Sequence, residues 1–264
     1  MHTPDVASIL DAMRVKAPLV HCLTGAVSAP FVADGLLAAG ARPLMTATIG
    51  EAPTLVRGAD ALLVNLAALG EETAAAILPT VAAARDGGRP WVLDPAVVGP
   101  TPVRTPLARN LVRHHPGAIR GNASEIRALA GADGGARGAD TTCSSRAVID
   151  DAARLAHDAR CVVVVSGELD VITDGHRVIG STGGDARLTQ VTGTGCLLSA
   201  LVTAFITVAT PLDAALTAVA LMSSAAEDAA RKSAGPGSFK VELLDALDRI
   251  GPTHLEVSTR WCSG

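Results

Sequence analysis

The chain has 264 residues, of which 48% are hydrophobic, 18% are charged and 2% are aromatic, with no tyrosine. This length and apolar content allow a large core without disulfides, in one large α/β domain or two small ones. The 22 basic and 26 acidic residues give a net charge of −4 without any basic run, which argues against nucleic-acid and membrane-surface partners.

Short apolar runs, typical of buried strands, alternate along the chain with amphipathic segments of helical length. The alternation predicts right-handed βαβ units and a central, mostly parallel sheet with helices on both faces. The predicted strands are Pro18–His21, Arg42–Met45, Ala61–Leu66, Trp91–Asp94, Ala118–Arg120 and Cys161–Ser166. The predicted helices are Ala29–Ala39, Glu72–Arg85, Pro106–His114, Ser124–Ala130 and Arg146–Ala159.

A hairpin is predicted after these units. Asp170–Thr173 and Arg177–Gly180 flank Asp174-Gly175, a favourable two-residue turn, which indicates a small antiparallel addition to the sheet. Upstream, the stretch Gly131–Thr142 is rich in glycine and aspartate and is typical of an exposed loop. Nothing divides the chain into separate units, so we expect residues 1–264 to form a single domain.

Two long segments near the end of the chain, Leu197–Ala209 and Leu212–Ala230, are apolar on most faces, which predicts burial or a subunit contact. The apolar stretch that ends before Pro211 is too short to span a bilayer, and the N-terminus lacks an apolar signal core. Five cysteines without a C-x-x-C pair argue against disulfides and structural zinc. We therefore expect a soluble, cytoplasmic protein.

The turn before the first of these segments, Gly193-Thr194-Gly195-Cys196, is a candidate phosphate-binding site. Ligands of open α/β sheets bind where strands end and helices begin, and a helix start offers free N–H groups and partial positive charge. The glycines allow a close backbone approach, and Thr194 adds a hydroxyl donor. A tight loop without function is the alternative.

Cys196 is the candidate catalytic residue of this turn. On the first turn of a helix its thiol is expected to have a lowered pKa, and it could accept a proton from an alcohol or orient that alcohol. The alternative is a buried small hydrophobic residue, which is the usual environment of a free cysteine.

Three further strand ends carry polar residues. Asp94 closes a strand and can reach Mg²⁺, or it forms a turn before proline. Arg120 is a candidate phosphate contact, and Glu125 is a candidate second metal carboxylate or the partner of Asn122 in a helix cap. Ser166 begins a turn where a nucleotide's phosphate or ribose could lie. Zinc, P-loop and dinucleotide motifs are absent from the sequence.

In their order along nearly the whole chain, these motifs resemble the hydroxyethylthiazole kinase family of the ribokinase-like superfamily. The family implies a three-layer fold and a homotrimer with active sites at subunit boundaries. It also implies ATP- and Mg²⁺-dependent phosphorylation of the primary alcohol of 4-methyl-5-(2-hydroxyethyl)thiazole in thiamine salvage. The matching segments are Pro18-Leu19-Val20-His21, Asp34-Gly35-Leu36-Leu37, Asp94-Pro95, Arg120-Gly121-Asn122-Ala123-x-Glu125, Ser166-Gly167-Glu168, Val191–Cys196 and Gly235-Pro236-Gly237-Ser238-Phe239.

The resemblance also implies a role for each residue that matches a family motif. Cys196 stands where other ribokinase-like kinases place a catalytic aspartate. The remaining roles are thiazole binding by Met45 and Gly193, ATP binding by Arg120 and Ser166, and Mg²⁺ binding by Asp94 and Glu125.

Departures from the family pattern keep other functions open. Cys22 and Gly25 lie where the family usually has asparagine, and Val97 and Pro100 change a loop that is usually richer in glycine. The alternatives are a kinase for a different small alcohol, a dehydratase that repairs hydrated nicotinamide nucleotides, and a nucleotide-binding regulatory module. The dehydratase needs an aspartate in the catalytic turn, and Cys196 argues against it.

Overall fold

Nine strands form one sheet in the computed structural model, which describes residues 4–67, 69–131, 144–258 and 261–263. The strands are β1 (Leu19–Leu23), β2 (Arg42–Leu44), β3 (Ala61–Asn65), β4 (Trp91–Asp94), β5 (Ala118–Asn122), β6 (Val162–Ser166), β7 (Asp170–Thr173), β8 (Val178–Ser181) and β9 (Trp261–Ser263). Their order is β2-β1-β3-β4-β5-β6-β7-β8-β9. Strands β1 to β6 run parallel, and the last three add antiparallel at one edge. All predicted strands are present, with small shifts at their ends.

The helices and the loops between them connect the parallel strands and extend beyond them. They are α1 (Val6–Lys16), α2 (Ala29–Ala39), α3 (Ala52–Leu55), α4 (Glu71–Asp86), α5 (Arg104–Val112), α6 (Ala123–Leu129), α7 (Ile149–Ala159), α8 (Thr194–Phe205), α9 (Pro211–Lys232), α10 (Pro236–Arg249) and α11 (Pro252–Ser258). The predicted helices are confirmed, although the predicted Arg146–Ala159 helix begins with a 3-10 turn before α7. Helices α1, α3, α10 and α11 were not predicted.

The sheet separates two apolar cores, which confirms the predicted three-layer architecture. One core packs side chains such as Leu63 and Val92 against helices that include α2, α8 and α9. The other packs Leu62 and Leu93 against helices that include α4, α6 and α7. Strand residues therefore alternate between two buried faces, which is why these strands are apolar throughout. Trp91, at the start of β4, is among the largest fully buried side chains.

Helices α8 and α9 are the two apolar segments, and both are buried within the chain itself. Most residues of each are enclosed. Gly35 of α2 lets α8 come close, because a Cβ at that position would overlap the Leu197 side chain. The described ranges hold no helix with the length and apolarity needed to cross a membrane.

The hairpin of β7 and β8 is confirmed, but its turn is longer than predicted. Thr173 pairs with Val178, so four residues connect the strands instead of the predicted Asp174-Gly175 pair. The Asp174 carboxylate accepts bonds from the backbone N–H groups of His176 and Arg177, which stabilises the wider turn. The predicted Gly131–Thr142 loop lies, after Gly131, outside the described residues.

Candidate active site

The carboxyl ends of four neighbouring strands, β3 to β6, meet the start of α8. Asn65 of β3 pairs in register with Asp94 of β4, and Asn122 of β5 pairs with Ser166 of β6. Parallel strands place these ends along one edge of the sheet, where ligands of open α/β sheets bind. The topology thus brings together most of the candidate residues that are far apart in sequence.

Asp94 lies at the centre of this group and is almost completely buried. Its Oδ2 accepts hydrogen bonds from Asn65 Nδ2 at 3.0 Å and Ser199 Oγ at 2.7 Å. Arg120 Nη1 lies 3.9 Å away from the same oxygen. Burial raises the pKa of the Asp94 carboxyl to about 7, opposed by the Arg120 charge and reinforced by the nearby Glu125 carboxylate.

Arg120 lies between Asp94 and Ser166 and faces the first turn of α8. Its Nε donates to Ser166 Oγ at 3.0 Å. A Cβ at Gly195 would overlap the Arg120 guanidinium, so only glycine permits this close contact with the helix start. The guanidinium and the helix N-terminus therefore present positive charge to the same place, as an anion-binding site requires.

The turn before α8 has the backbone geometry expected of an anion-binding loop. Gly193 is the N-cap residue, with φ of 94° in the left-handed region that favours glycine. It packs against Ser28 and Phe31. The Thr194 hydroxyl donates to the carbonyls of Leu188 and Val191, so the residue can offer an anion its backbone N–H rather than its hydroxyl.

Cys196 lies on this first turn, partly buried, and the Ser28 and Asn65 side chains are close enough to lower the pKa of its thiol. The predicted lowering of its pKa is wrong. Burial raises the pKa of the Cys196 thiol, and the neighbouring Asp94 carboxylate raises it further, against the smaller effect of Arg120. The loss of solvation and a close negative charge outweigh the helix start. The thiol is therefore suited to orient a hydroxyl.

Glu125 forms the predicted capping box at the start of α6 and also reaches the loop after β4. The Glu125 N–H donates to Asn122 Oδ1, and Glu125 Oε2 accepts from the Asn122 N–H at 2.9 Å. Its Oε1 accepts from the Val97 N–H at 2.9 Å. Glu125 can therefore cap α6 and contribute to the site at the same time.

Val97 has a backbone conformation that a β-branched residue rarely adopts. Its φ is 65°, in the left-handed region. This turn aims the Val97 N–H at Glu125, and the Thr101 hydroxyl donates to the Val97 carbonyl. The chain thus keeps a glycine-like conformation at a position where its residue is valine.

Met45 lies farther from the other candidates. It follows β2 at the edge of the sheet and packs, partly buried, on the core that contains α2 and α8. Two strands separate β2 from β4, which corresponds to roughly 14 Å between Met45 and the strand of Asp94. Asp94, Arg120, Ser166 and Gly195 form the compact cluster, and Met45 lies to one side of it.

Three residues that the sequence did not single out hold this cluster together. Asn65 and Ser199 both donate to Asp94, and the Asn65 and Ser28 side chains lower the pKa of the Cys196 thiol. Ser199 lies one helical turn after Cys196, on the same face of α8. A serine in an otherwise apolar helix is the sequence signal that could have pointed to it. Asn65 ends an apolar strand next to Asp94.

The two carboxylates have the chemistry that a magnesium ion needs. Asp94 and Glu125 are buried, and the Glu125 charge is close enough to raise the pKa of Asp94. Mg²⁺ typically uses one or two carboxylates and completes its shell with waters and substrate phosphates. The described residues contain no group of three or more histidines, cysteines and acids that could hold a metal.

Comparison with known proteins identifies close relatives. The model of the hydroxyethylthiazole kinase family matches residues 10–252. The hydroxyethylthiazole kinase of Clavibacter sepedonicus is 48% identical over 98% of this chain and 94% of its own. The structure of the Pyrococcus horikoshii OT3 hydroxyethylthiazole kinase has a TM-score of 0.91 at 32% identity, covering 98% of both chains. The pyridoxal kinase of Staphylococcus aureus shares the fold, with a TM-score of 0.64 at 16% identity over 80% of this chain and 88% of its own.

Proposed function

Because the chain belongs to the hydroxyethylthiazole kinase family and has the ribokinase-like fold, we propose that this kinase transfers the γ-phosphoryl group of ATP to 4-methyl-5-(2-hydroxyethyl)thiazole. The acceptor is the primary alcohol of that thiazole, and the reaction belongs to thiamine salvage. One observation carries the assignment to this edge of the sheet: the Arg120 guanidinium lies against Gly195 at the start of α8, beside buried Asp94.

The nucleotide's terminal phosphates bind between Arg120 and the first turn of α8. Arg120 supplies a fixed charge, held in place by Ser166, and the N–H groups of Thr194 and Gly195 supply hydrogen bonds from the helix start. Preorganised donors of this kind stabilise charge that develops on the transferring phosphoryl group. The role of Ser166 is to orient Arg120 and to contact ATP.

Asp94 and Glu125 bind the Mg²⁺ that accompanies the nucleotide, and the ion neutralises phosphate charge when bound. The chain's own contribution is to hold these carboxylates in place. Asn65 and Ser199 fix Asp94, and the N–H groups of Val97 and Asn122 fix Glu125. Oxygen ligands fixed before binding lose little freedom when the ion arrives.

Cys196 is the residue that acts on the alcohol, and Met45 and Gly193 bind the thiazole ring. In the transfer, the hydroxyl oxygen bonds to the γ-phosphorus, the bond to the bridging oxygen breaks, and ADP leaves. The hydroxyl proton departs late, to an oxygen of the transferred phosphoryl group and from there to water, because a loose transition state leaves the nucleophile weakly bonded. Cys196 therefore orients the hydroxyl, as its raised pKa supports.

The proposal extends to the whole protein. The chain acts as one domain and as a homotrimer with active sites at subunit boundaries, in the cytoplasm where ATP is available. Large apolar side chains exposed near the site support the trimer: Val27 is 71% exposed beside Ser28, and Val241 of α10 is 59% exposed. Lys240, next to Val241, lies over the Phe31 ring that contacts Gly193.

A second candidate is a kinase for a different small alcohol. Gly25 stands where the family usually has an asparagine, and it precedes the segment that contacts Gly193. The loss of that amide removes a polar contact from the pocket and would favour a less polar acceptor. Both candidate functions transfer the γ-phosphoryl group of ATP, and they differ only in the alcohol that accepts it.

A coupled ADP-release assay with a panel of alcohols tests the proposal. We expect turnover with hydroxyethylthiazole, and the variant Cys196→Ala should lower kcat while nucleotide binding, measured by thermal stabilisation with Mg-ATP, is retained. Turnover only with another alcohol would assign the second candidate. Nucleotide binding without turnover of any alcohol would indicate a regulatory module, and unchanged kcat in Cys196→Ala would remove its catalytic role.

A further inference from the structure

Asp170 is a partly buried carboxylate that the proposed reaction does not use. It is the first residue of β7 and lies opposite Ser181 in the hairpin. Burial raises the pKa of its carboxyl to about 6, while a bond from the Gly167 N–H and the charge of Arg120 act against that rise. An acid is costly to bury without a role, so its contacts indicate what it does.

The first contact of Asp170 fixes the turn between β6 and β7. Its Oδ1 accepts from the Gly167 N–H at 3.0 Å. On the other side of the turn, the Ser145 hydroxyl donates to the Leu169 carbonyl, and a Cβ at Gly167 would lie 3.1 Å from Ser145 Oγ. The turn is therefore held from both sides, with Asp170 as the only charged group in these contacts.

This turn starts at Ser166, the residue that positions Arg120. Ser166 Oγ accepts the Nε hydrogen of Arg120, and the other end of the guanidinium lies 3.9 Å from Asp94 and against Gly195. Arg120 is thus held by Ser166 of β6 at one end of its guanidinium, and by Asp94 of β4 and the start of α8 at the other. A shift of the turn would move the Ser166 hydroxyl away from the guanidinium and weaken this hydrogen bond.

The charges around Arg120 also help to hold it in place. The Arg120 charge interacts favourably with the Asp170 carboxylate as well as with the Asp94 carboxylate. A side chain that is already held by a hydrogen bond and by nearby charges loses less entropy when an anion binds.

We propose that Asp170 is a positioning residue for phosphate binding: it fixes the Ser166-Gly167 turn and thereby holds Arg120 over the start of α8. The proposal rests on the proposed function, because it assigns Arg120 to the phosphates of ATP. Asp170 does not touch the substrates. Its effect should therefore appear in the affinity for the nucleotide and leave the acceptor's binding unchanged.

The test compares two substitutions of Asp170 in the full-length protein. Asp170→Ala removes both the hydrogen bond and the charge, and we expect KM for ATP to rise about ten-fold, with KM for the alcohol unchanged. Asp170→Asn keeps an oxygen that can accept from Gly167, and we expect KM for ATP to rise only about two- to three-fold. Partial rescue by the amide is the signature of positioning through the turn.

Asp174→Ala is the matched control, because Asp174 also bonds backbone N–H groups, at the other end of the same strand. It should lower the melting temperature and leave KM for ATP unchanged. An unchanged KM for ATP in Asp170→Ala would overturn the proposal, as would an equal rise in the control or no rescue by asparagine.

Nucleotide affinity measured directly by calorimetry separates this proposal from the proposed function. If the wild-type protein binds Mg-ATP without phosphorylating any alcohol, the assigned reaction fails. The affinities of wild type, Asp170→Asn and Asp170→Ala for Mg-ATP, compared with one another, still decide the role of Asp170. If Asp170→Ala does not fold, the comparison of wild type, Asp170→Asn and Asp174→Ala decides it, and an Asp170→Asn affinity equal to that of wild type would then count against the proposal.

Discussion

At the scale of single residues, Val97 is the clearest conflict between side chain and backbone. Its φ of 65° places a β-branched residue in the left-handed region, while its N–H holds Glu125. Such conformations cost about 1–3 kcal/mol and persist at sites where the surroundings fix them. The strain is therefore located in the loop that supports a proposed magnesium ligand.

Replacing Val97 by glycine should relieve this strain. We expect Val97→Gly to raise the free energy of unfolding by about 1 kcal/mol, because the relief exceeds the entropy gained by the unfolded chain. Equilibrium denaturation in urea measures it. Val98→Gly is the matched control, since Val98 is buried with an ordinary φ, and it should lower stability by about 2 kcal/mol. Equal losses in both variants would show that Val97 is unstrained.

Most residues of the site could be predicted from the sequence. The pKa of Cys196 and the hydrogen bonds that hold Asp94 in place could not. Asp94, Arg120 and Ser166 could be found because each ends a predicted apolar strand, and parallel strand ends share one edge, although β5 continues past Arg120 to Asn122. The supporting contact of Ser199 could not be found, because it depends on how α8 lies across the sheet, and that of Asn65 depends on the register of β3 and β4. The pKa of Cys196 was predicted wrongly for the same reason: the sequence shows a helix start but not the burial or the neighbouring Asp94.

At the scale of secondary-structure elements, α2 and α8 pack closely because of one glycine. A methyl group on Gly35 would overlap the Leu197 side chain, which is itself fully buried. We expect Gly35→Ala to lower the free energy of unfolding by about 1–3 kcal/mol. The measurement is urea denaturation.

Gly237 of α10 is the matched control for this prediction, because it is also helical but has no atom within 4 Å of an added Cβ. Gly237→Ala should raise stability by about 0.5 kcal/mol, through helix propensity alone. A stable Gly35→Ala variant would mean that Leu197 can move aside at no cost.

A second feature at this scale is the ion cluster between α9 and α10. Asp228 accepts hydrogen bonds from Lys232, Arg249 and Arg231, which hold the pKa of its carboxyl well below the usual range. A lowered pKa in the folded state contributes stability that is fully present above the unfolded value of about 3.9 and is lost as pH falls below it.

The consequence can be measured with Asp228→Asn. The variant should be less stable than wild type at pH 7, and the difference should shrink as pH falls below about 4. Glu242→Gln is the control, because Glu242 makes a single contact of 3.6 Å with the same Arg249 and should show a smaller effect. A difference that does not change with pH would indicate that charge is not its cause.

Helices and strands could be predicted from the sequence where the signal lies within the segment itself. The six buried strands and the helices between them follow from apolar runs and capping residues such as Asn122. Helices α1 and α10 were missed because they lie outside the alternating strand and helix units, before β1 and after α9. The hairpin turn was predicted too short, because the wider turn depends on the Asp174 side chain bonding two backbone groups.

At the scale of the whole molecule, the proposed trimer makes a specific prediction. Light scattering should give a mass three times the 26.6 kDa of the chain. Val27→Asp should dissociate the assembly and lower turnover, because Val27 is exposed beside Ser28 at the site and a charge there opposes burial. Val15→Asp is the control: Val15 is 88% exposed on α1, and its substitution should change neither quantity. A monomeric wild-type protein would contradict the proposal.

The buried Trp91 has a practical consequence that follows from the scarcity of aromatic residues. The chain has two tryptophans and no tyrosine, so its ultraviolet emission comes almost entirely from Trp91 and Trp261. Trp261→Phe would leave one emitter, enclosed in the strand that ends at Asp94. The fluorescence of that variant would report, without any label, on the centre of the sheet beneath the proposed nucleotide site.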